Sequence, residues 1–140
     1  KRQSLTGDYS EDPSAWVKLQ FEEGEVDFVA APNLLDDAWE EWTIDGRRIR
    51  VETSAEIIAK KMFHRGHRTT ARDLFDLALV IEREPDALAA AADALAAIDQ
   101  RFLINPHPTL KIAFKAIDTL DYTPDFDHCV AIAADYLEGL

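Results

Sequence analysis

Apolar and polar side chains alternate at the start of the patterned part of the chain. Over Ala15 to Phe21, Val17, Leu19 and Phe21 are separated by Lys18 and Gln20, the period of a half-buried strand. Glu22-Glu23-Gly24 turns the chain, and Glu25 to Ala30 returns as the hairpin partner, with Val26 and Phe28 alternating against Asp27 and Val29. A second hairpin is predicted over Thr43 to Val51, closed by Asp45-Gly46, a pair suited to a type I′ turn. Between the two, Asn33 to Trp42 is acidic and reads as a short helix, with Trp39 and Trp42 as core residues.

The period changes after Val51. Thr53 and Glu56 have the spacing of a capping box. In the helix that follows, Ala55, Ile58, Ala59 and Met62 fall on one side. Lys60 projects nearly opposite that stripe, whereas Lys61 lies at its edge, so Lys61 is the lysine expected to be held by the fold. Gly66 is expected to end the helix as a left-handed residue. A second helix runs to Ile81 on a stripe of Leu74, Leu77, Ala78 and Ile81, with Asp73 and Asp76 on its flank about 60° apart. Arg72 and Asp76 are spaced for a surface ion pair, and Asp73 suits the positive end of the helix dipole. Beyond Glu84-Pro85-Asp86 the pattern predicts an alanine-rich helix through Phe102, a break at Asn105-Pro106-His107-Pro108, and helices over Thr109 to Leu120 and Asp125 to Leu137. The fold class is therefore α+β, with antiparallel hairpins in the N-terminal third and a helical bundle after them. The implied division is a polar connection over 1–14, a hairpin part over 15–52 and a helical part over 53–140.

Charge singles out one stretch. The chain carries a formal net charge of −12, yet Arg47, Arg48, Arg50, Lys60, Lys61, Arg65, Arg68 and Arg72 supply eight of its 15 basic residues against only Glu52 and Glu56. Such a cationic patch is suited to phosphates, or else is a solvated, salt-bridged helix face; on the first reading Lys61, Arg65, Arg68 and Arg72 are the phosphate-binding candidates for a nucleotide, with His64 or His67 at the edge. The C-terminal half is acidic, which argues against an extended nucleic-acid surface there. Asp125-Phe126-Asp127 follows Pro124 and reads as helix-start carboxylates. Cys129, the only cysteine, sits in an apolar setting that marks it as a core residue. There is no apolar run long enough to cross a bilayer, so a soluble cytoplasmic protein is expected. Lys1 to Pro13 is polar and aperiodic and Met62 is the only methionine, which together suggest a chain that begins mid-protein.

A-E-I-I-A-K-K-M followed by T-A-R-D-L-F-D-L resembles the third and fourth motifs of the abortive-infection nucleotidyltransferase toxins of the AbiEii/AbiGii type. Lys61 falls on that family's lysine, Arg72 and Asp73 on its R-D pair, and Asp76 on its following aspartate. Phe75 stands where tyrosine is usual and Thr70 where a second lysine is frequent. With the Asp45-Gly46 hairpin and the V-E-T lead-in, the likeness covers roughly residues 15–82.

The resemblance implies the later part of a polymerase-β-like fold that takes an NTP with Mg2+ and transfers a nucleotide, for related toxins to tRNA, beside a winged-helix antitoxin. It makes Lys61, Asp73, Asp76 and Asp27 the catalytic candidates. Asp27, in V-D-F, resembles a third strand-borne carboxylate and is the candidate metal ligand. The family's Gly-Ser element and the Asp-x-Asp pair after it have no counterpart: none of Gly7, Gly24, Gly46, Gly66 and Gly139 precedes glycine or serine. Without those carboxylates the chain is expected to be inactive alone. A non-catalytic helical interaction module is the alternative, and a nucleic-acid-binding domain a third.

Overall fold

The computed structural model describes residues 16–96 and 106–140. The connection expected over 1–14 and the end of the alanine-rich segment lie outside the described residues. The chain divides into a unit ending at Asn33 and a unit running Leu34–Leu140. The first holds one antiparallel hairpin, β1 (Trp16–Phe21) and β2 (Gly24–Val29), with Val17 opposite Phe28 and Lys18 opposite Asp27. The expected alternation is realised, and the apolar positions share one face of the pleat.

The second unit opens with another hairpin, β3 (Trp39–Ile44) paired to β4 (Arg47–Glu52). Asp45 (φ 49°) and Gly46 (φ 73°) both take positive φ, as a type I′ turn requires. The helix expected over Asn33–Trp42 is not formed: residues 34–37 bend, and Trp39 opens a strand. The tight Asp45-Gly46 turn extends the pairing back to Trp39, opposite Glu52, and aromatic residues suit a pleated surface. Nor are the tryptophans core residues, because Trp39 is 40% and Trp42 49% exposed. Arg50 instead lies over the Trp39 ring at 3.9 Å.

Five α-helices follow among the described residues: α1 (Ser54–Arg65), α2 (Ala71–Arg83), α3 (Ala92–Leu95), α4 (Pro108–Lys115) and α5 (Phe126–Glu138). The stripes predicted for α1 and α2 are the core. Ile58, Ala59, Met62, Leu74, Leu77 and Ala78 are all buried, and Leu88, Leu95, Cys129 and Ala133 are among the residues that join the same cluster. Each large apolar side chain so enclosed contributes about 1.5–3 kcal/mol. Burial pushes the Cys129 thiol up to about 11, as suits a packing residue.

Three helix ends differ from expectation. Gly66 is right-handed (φ −52°) and leads into a 3-10 turn over Gly66–Arg68, where the Thr69 hydroxyl donates to its carbonyl at 2.9 Å. The alanine-rich segment is 3-10 over Pro85–Ala91 before α3 begins. That geometry aligns residues three apart, and Leu88 and Ala91 are both buried, so packing overrides alanine's preference for α-helix. Helix α4 stops at Lys115 rather than Leu120, tightened by a bond from the Ala116 N–H to the Ala113 carbonyl at 3.2 Å. Asp125 caps α5 as expected, accepting from the His128 N–H at 2.8 Å.

Candidate functional site

Helices α1 and α2 form a hairpin joined by the short turn through Thr69, and four of the predicted site residues meet across it. Lys61 and Arg65 are one helical turn apart on α1, and Asp73 and Asp76 are three apart on α2. Because the helices run in opposite senses, Lys61 pairs with Asp76 and Arg65 with Asp73, two rungs of one charge ladder.

The rungs differ in depth. The Asp73 side chain has no solvent exposure; it accepts from the Thr70 N–H at 3.0 Å and the Thr70 hydroxyl at 2.7 Å, and Arg65 reaches it at 2.5 Å. Its own N–H donates to the Thr70 hydroxyl, completing a capping box. Three donors therefore surround a carboxylate that would be costly to bury unpaired. Asp76 and Lys61 keep 28% and 22% of their side-chain surface, so this second rung is reachable from solvent.

Arg68 and Arg72 are exposed. The expected Arg72–Asp76 pair is absent because Lys61 from the facing helix takes that carboxylate. Asp27 stands on β2 in the other unit, where Lys18 approaches it at 3.7 Å while donating to Glu25 at 3.1 Å. The hydrogen bond to Glu25 is the main reason the Lys18 ammonium sits above its ordinary value. Among the described residues no three His, Cys, Asp or Glu side chains are placed together to hold a metal ion.

A second charged group flanks α1, and sequence reasoning missed its centre. Glu56 has no exposed surface. Thr53 accepts from the Glu56 N–H at 3.3 Å, but the reciprocal half of the expected capping box is replaced. The Glu56 carboxylate instead accepts from the backbone N–H of Leu34 at 3.0 Å and of Leu35 at 2.9 Å, and pairs with Lys60 at 3.0 Å. Burial alone would raise this carboxyl, yet the bonds from Leu34, Lys60 and Leu35 outweigh it and hold it below the usual range. Lys60 also donates to Glu52 at 2.6 Å, the chief reason its ammonium is raised. Its side chain is only 14% exposed, so Lys60, and not Lys61 alone, is held by the fold. The i, i+4 spacing of Glu56 and Lys60 was the available signal.

A family model described as Nucleotidyl transferase AbiEii toxin, Type IV TA system, matches residues 17–138. The chain belongs to the AbiEii family. No curated protein and no solved structure matches it. AbiEii membership makes the chain kin to nucleotidyltransferase toxins of toxin–antitoxin systems, which implies an antitoxin as partner. It also gives the α+β architecture its nucleotidyltransferase lineage. No helix among the described residues is long and apolar enough to cross a membrane.

Proposed function

We propose that the α1–α2 ladder is the triphosphate-handling part of an AbiEii nucleotidyltransferase centre working on tRNA in the cytoplasm, with a winged-helix antitoxin as its counterpart. The observation that carries this reading is the Lys61–Asp76 rung, whose two motif residues are paired and still open to solvent. Lys61 is a compact cation suited to a phosphate. When a triphosphate takes Lys61, the Asp76 carboxylate is released beside it. The acceptor hydroxyl oxygen then forms a bond to the α-phosphorus, the bond to the β-phosphate oxygen breaks, pyrophosphate leaves, and the hydroxyl proton passes to Asp76. Asp73 is a positioning residue here. It fixes the start of α2 and aims Arg65, which remains 43% exposed, toward the same phosphates.

A second reading has its own support: each rung already satisfies its charges internally, as a structural module would. Lys61→Ala in the protein expressed from its complete reading frame separates the two. Transfer of labelled nucleotide to RNA should fall by about a hundredfold or more, the usual scale for a lost charge-stabilising contact. The melting midpoint should fall only slightly, because this pair, with 22% and 28% of its side-chain surface in solvent, is worth roughly 1 kcal/mol. Transfer at the unmodified rate would sink the role given to Lys61, and no transfer by the unmodified protein would leave the interaction module.

A further inference from the structure

Away from the ladder, Phe75 of α2, α4, the segment after it and the start of α5 line an open pocket of about 370 Å³. This falls within the roughly 300–1,000 Å³ of small-molecule sites. Its walls are unusually aromatic. Phe114 stands between Phe75 and Phe126 with ring centroids 5.9 and 5.4 Å away. Thr119 and Thr123 add hydroxyls to the lining.

The charged groups at the rim can be sorted one by one. The Asp127 carboxylate is taken by the Lys111 ammonium at 2.6 and 2.9 Å, and Asp125 is engaged by the His128 N–H as the cap of α5. That leaves Lys115, exposed and without an ion-pair partner among the described residues. The charges of the lining cancel, two cations against two carboxylates, and Lys115 is the cation with no carboxylate on it among the described residues.

We propose that this pocket binds a planar aromatic molecule bearing one anionic group, the ring against Phe75, Phe114 and Phe126 and the anion at Lys115. Contact with the half-buried Phe75 ring and with what Phe114 and Phe126, 6% and 5% exposed, leave accessible supplies the attraction for the ring. A compact ammonium recognises carboxylate or monophosphate alike. The proposal does not depend on nucleotide transfer, since no residue of the Lys61–Asp76 rung lines the cavity. Phe75 nevertheless places the pocket one residue along α2 from Asp76, so an occupant would press on the helix that carries the ladder.

The test is amide chemical-shift mapping on the 15N-labelled full chain, titrated separately with indole-3-acetate, AMP, neutral indole and inorganic phosphate. Both aromatic anions should shift Lys115, Thr119, Thr123 and Phe126, and whichever binds more tightly identifies carboxylate or phosphate as the natural anion. Lys115→Glu, on an exposed position, should weaken them about tenfold, the scale of a lost charge-assisted bond, and leave indole nearly unchanged. Shifts confined to other residues, aromatic anions binding no better than indole, or equal affinity in Lys115→Glu would each overturn the proposal.

Discussion

The α1–α2 hairpin and the β3–β4 hairpin lie side by side in sequence and carry the same kinds of residues, yet they dispose of them in opposite ways. In the helices the apolar stripe is enclosed and two carboxylates, Glu56 and Asp73, go inside with it. In the strands every residue but Val51 is exposed, and the Arg48–Glu41 pair keeps 78% and 52% of its side-chain surface. Position on the polypeptide does not explain the contrast. Buried charge is tolerated where backbone N–H groups and a cation converge on it, as Leu34, Leu35 and Lys60 do on Glu56 and Thr70 and Arg65 do on Asp73. Stability therefore resides in the helices, and the strands, two to a sheet, add little of their own.

The sharpest way to break this contrast is Glu56→Ala. Removing the carboxylate strips the acceptor from two backbone N–H groups and a partner from Lys60, and should cost about 3 kcal/mol in denaturant unfolding. Asp73→Ala should cost somewhat less, about 2 kcal/mol, because Arg65 can turn to water and only the Asp73 half of the capping box is lost, the Thr70 hydroxyl still accepting from the backbone N–H of residue 73. A loss under about 0.5 kcal/mol at either site would place the two carboxylates with the exposed pairs of the strands.

Acid titration sharpens the same point. Glu56 is depressed below its ordinary value of 4.5, so its contribution is fully present above that pH and disappears as pH falls through the lower folded value. The unmodified chain should therefore lose stability in that window more steeply than Glu56→Gln; parallel profiles would mean that the carboxylate does not govern acid unfolding. The smallest effect is expected on the strands. Trp42→Ser should change stability by less than about 1 kcal/mol, given how exposed the ring is. A large loss, read from the same unfolding curves, would show that this face is covered in solution.

How much was visible beforehand follows the same division. The apolar stripes of α1 and α2, the Asp45-Gly46 turn and the Asp125 cap are written in local spacing, and each stands where that spacing put it, whereas spacing offered Arg72 to Asp76 and the facing helix supplies Lys61 instead. Glu56 was taken for half of a capping box because its real partners, Leu34 and Leu35, lie more than 20 residues earlier. Its neighbour Lys60 pointed away from the stripe on a helical wheel, which cannot show β4 rising to meet it through Glu52. The 3-10 course of the alanine-rich segment was hidden for a like reason: alanine favours α-helix, and only the burial of Leu88 and Ala91 decides otherwise. Trp39 and Trp42 failed in the reverse direction, since composition said core and the register of β3 left them outside.

The grip of Glu56 on Leu34 and Leu35 has a consequence for how the chain breathes. These two amides lie in no helix or strand, so regular structure gives no reason for them to be protected from solvent deuterium. Tied to a buried carboxylate in the first turn of α1, they open only when that turn lets go. The ragged stretch ahead of β3 thus keeps the tempo of the core, and its exchange clock runs with α1 rather than with the loop it belongs to.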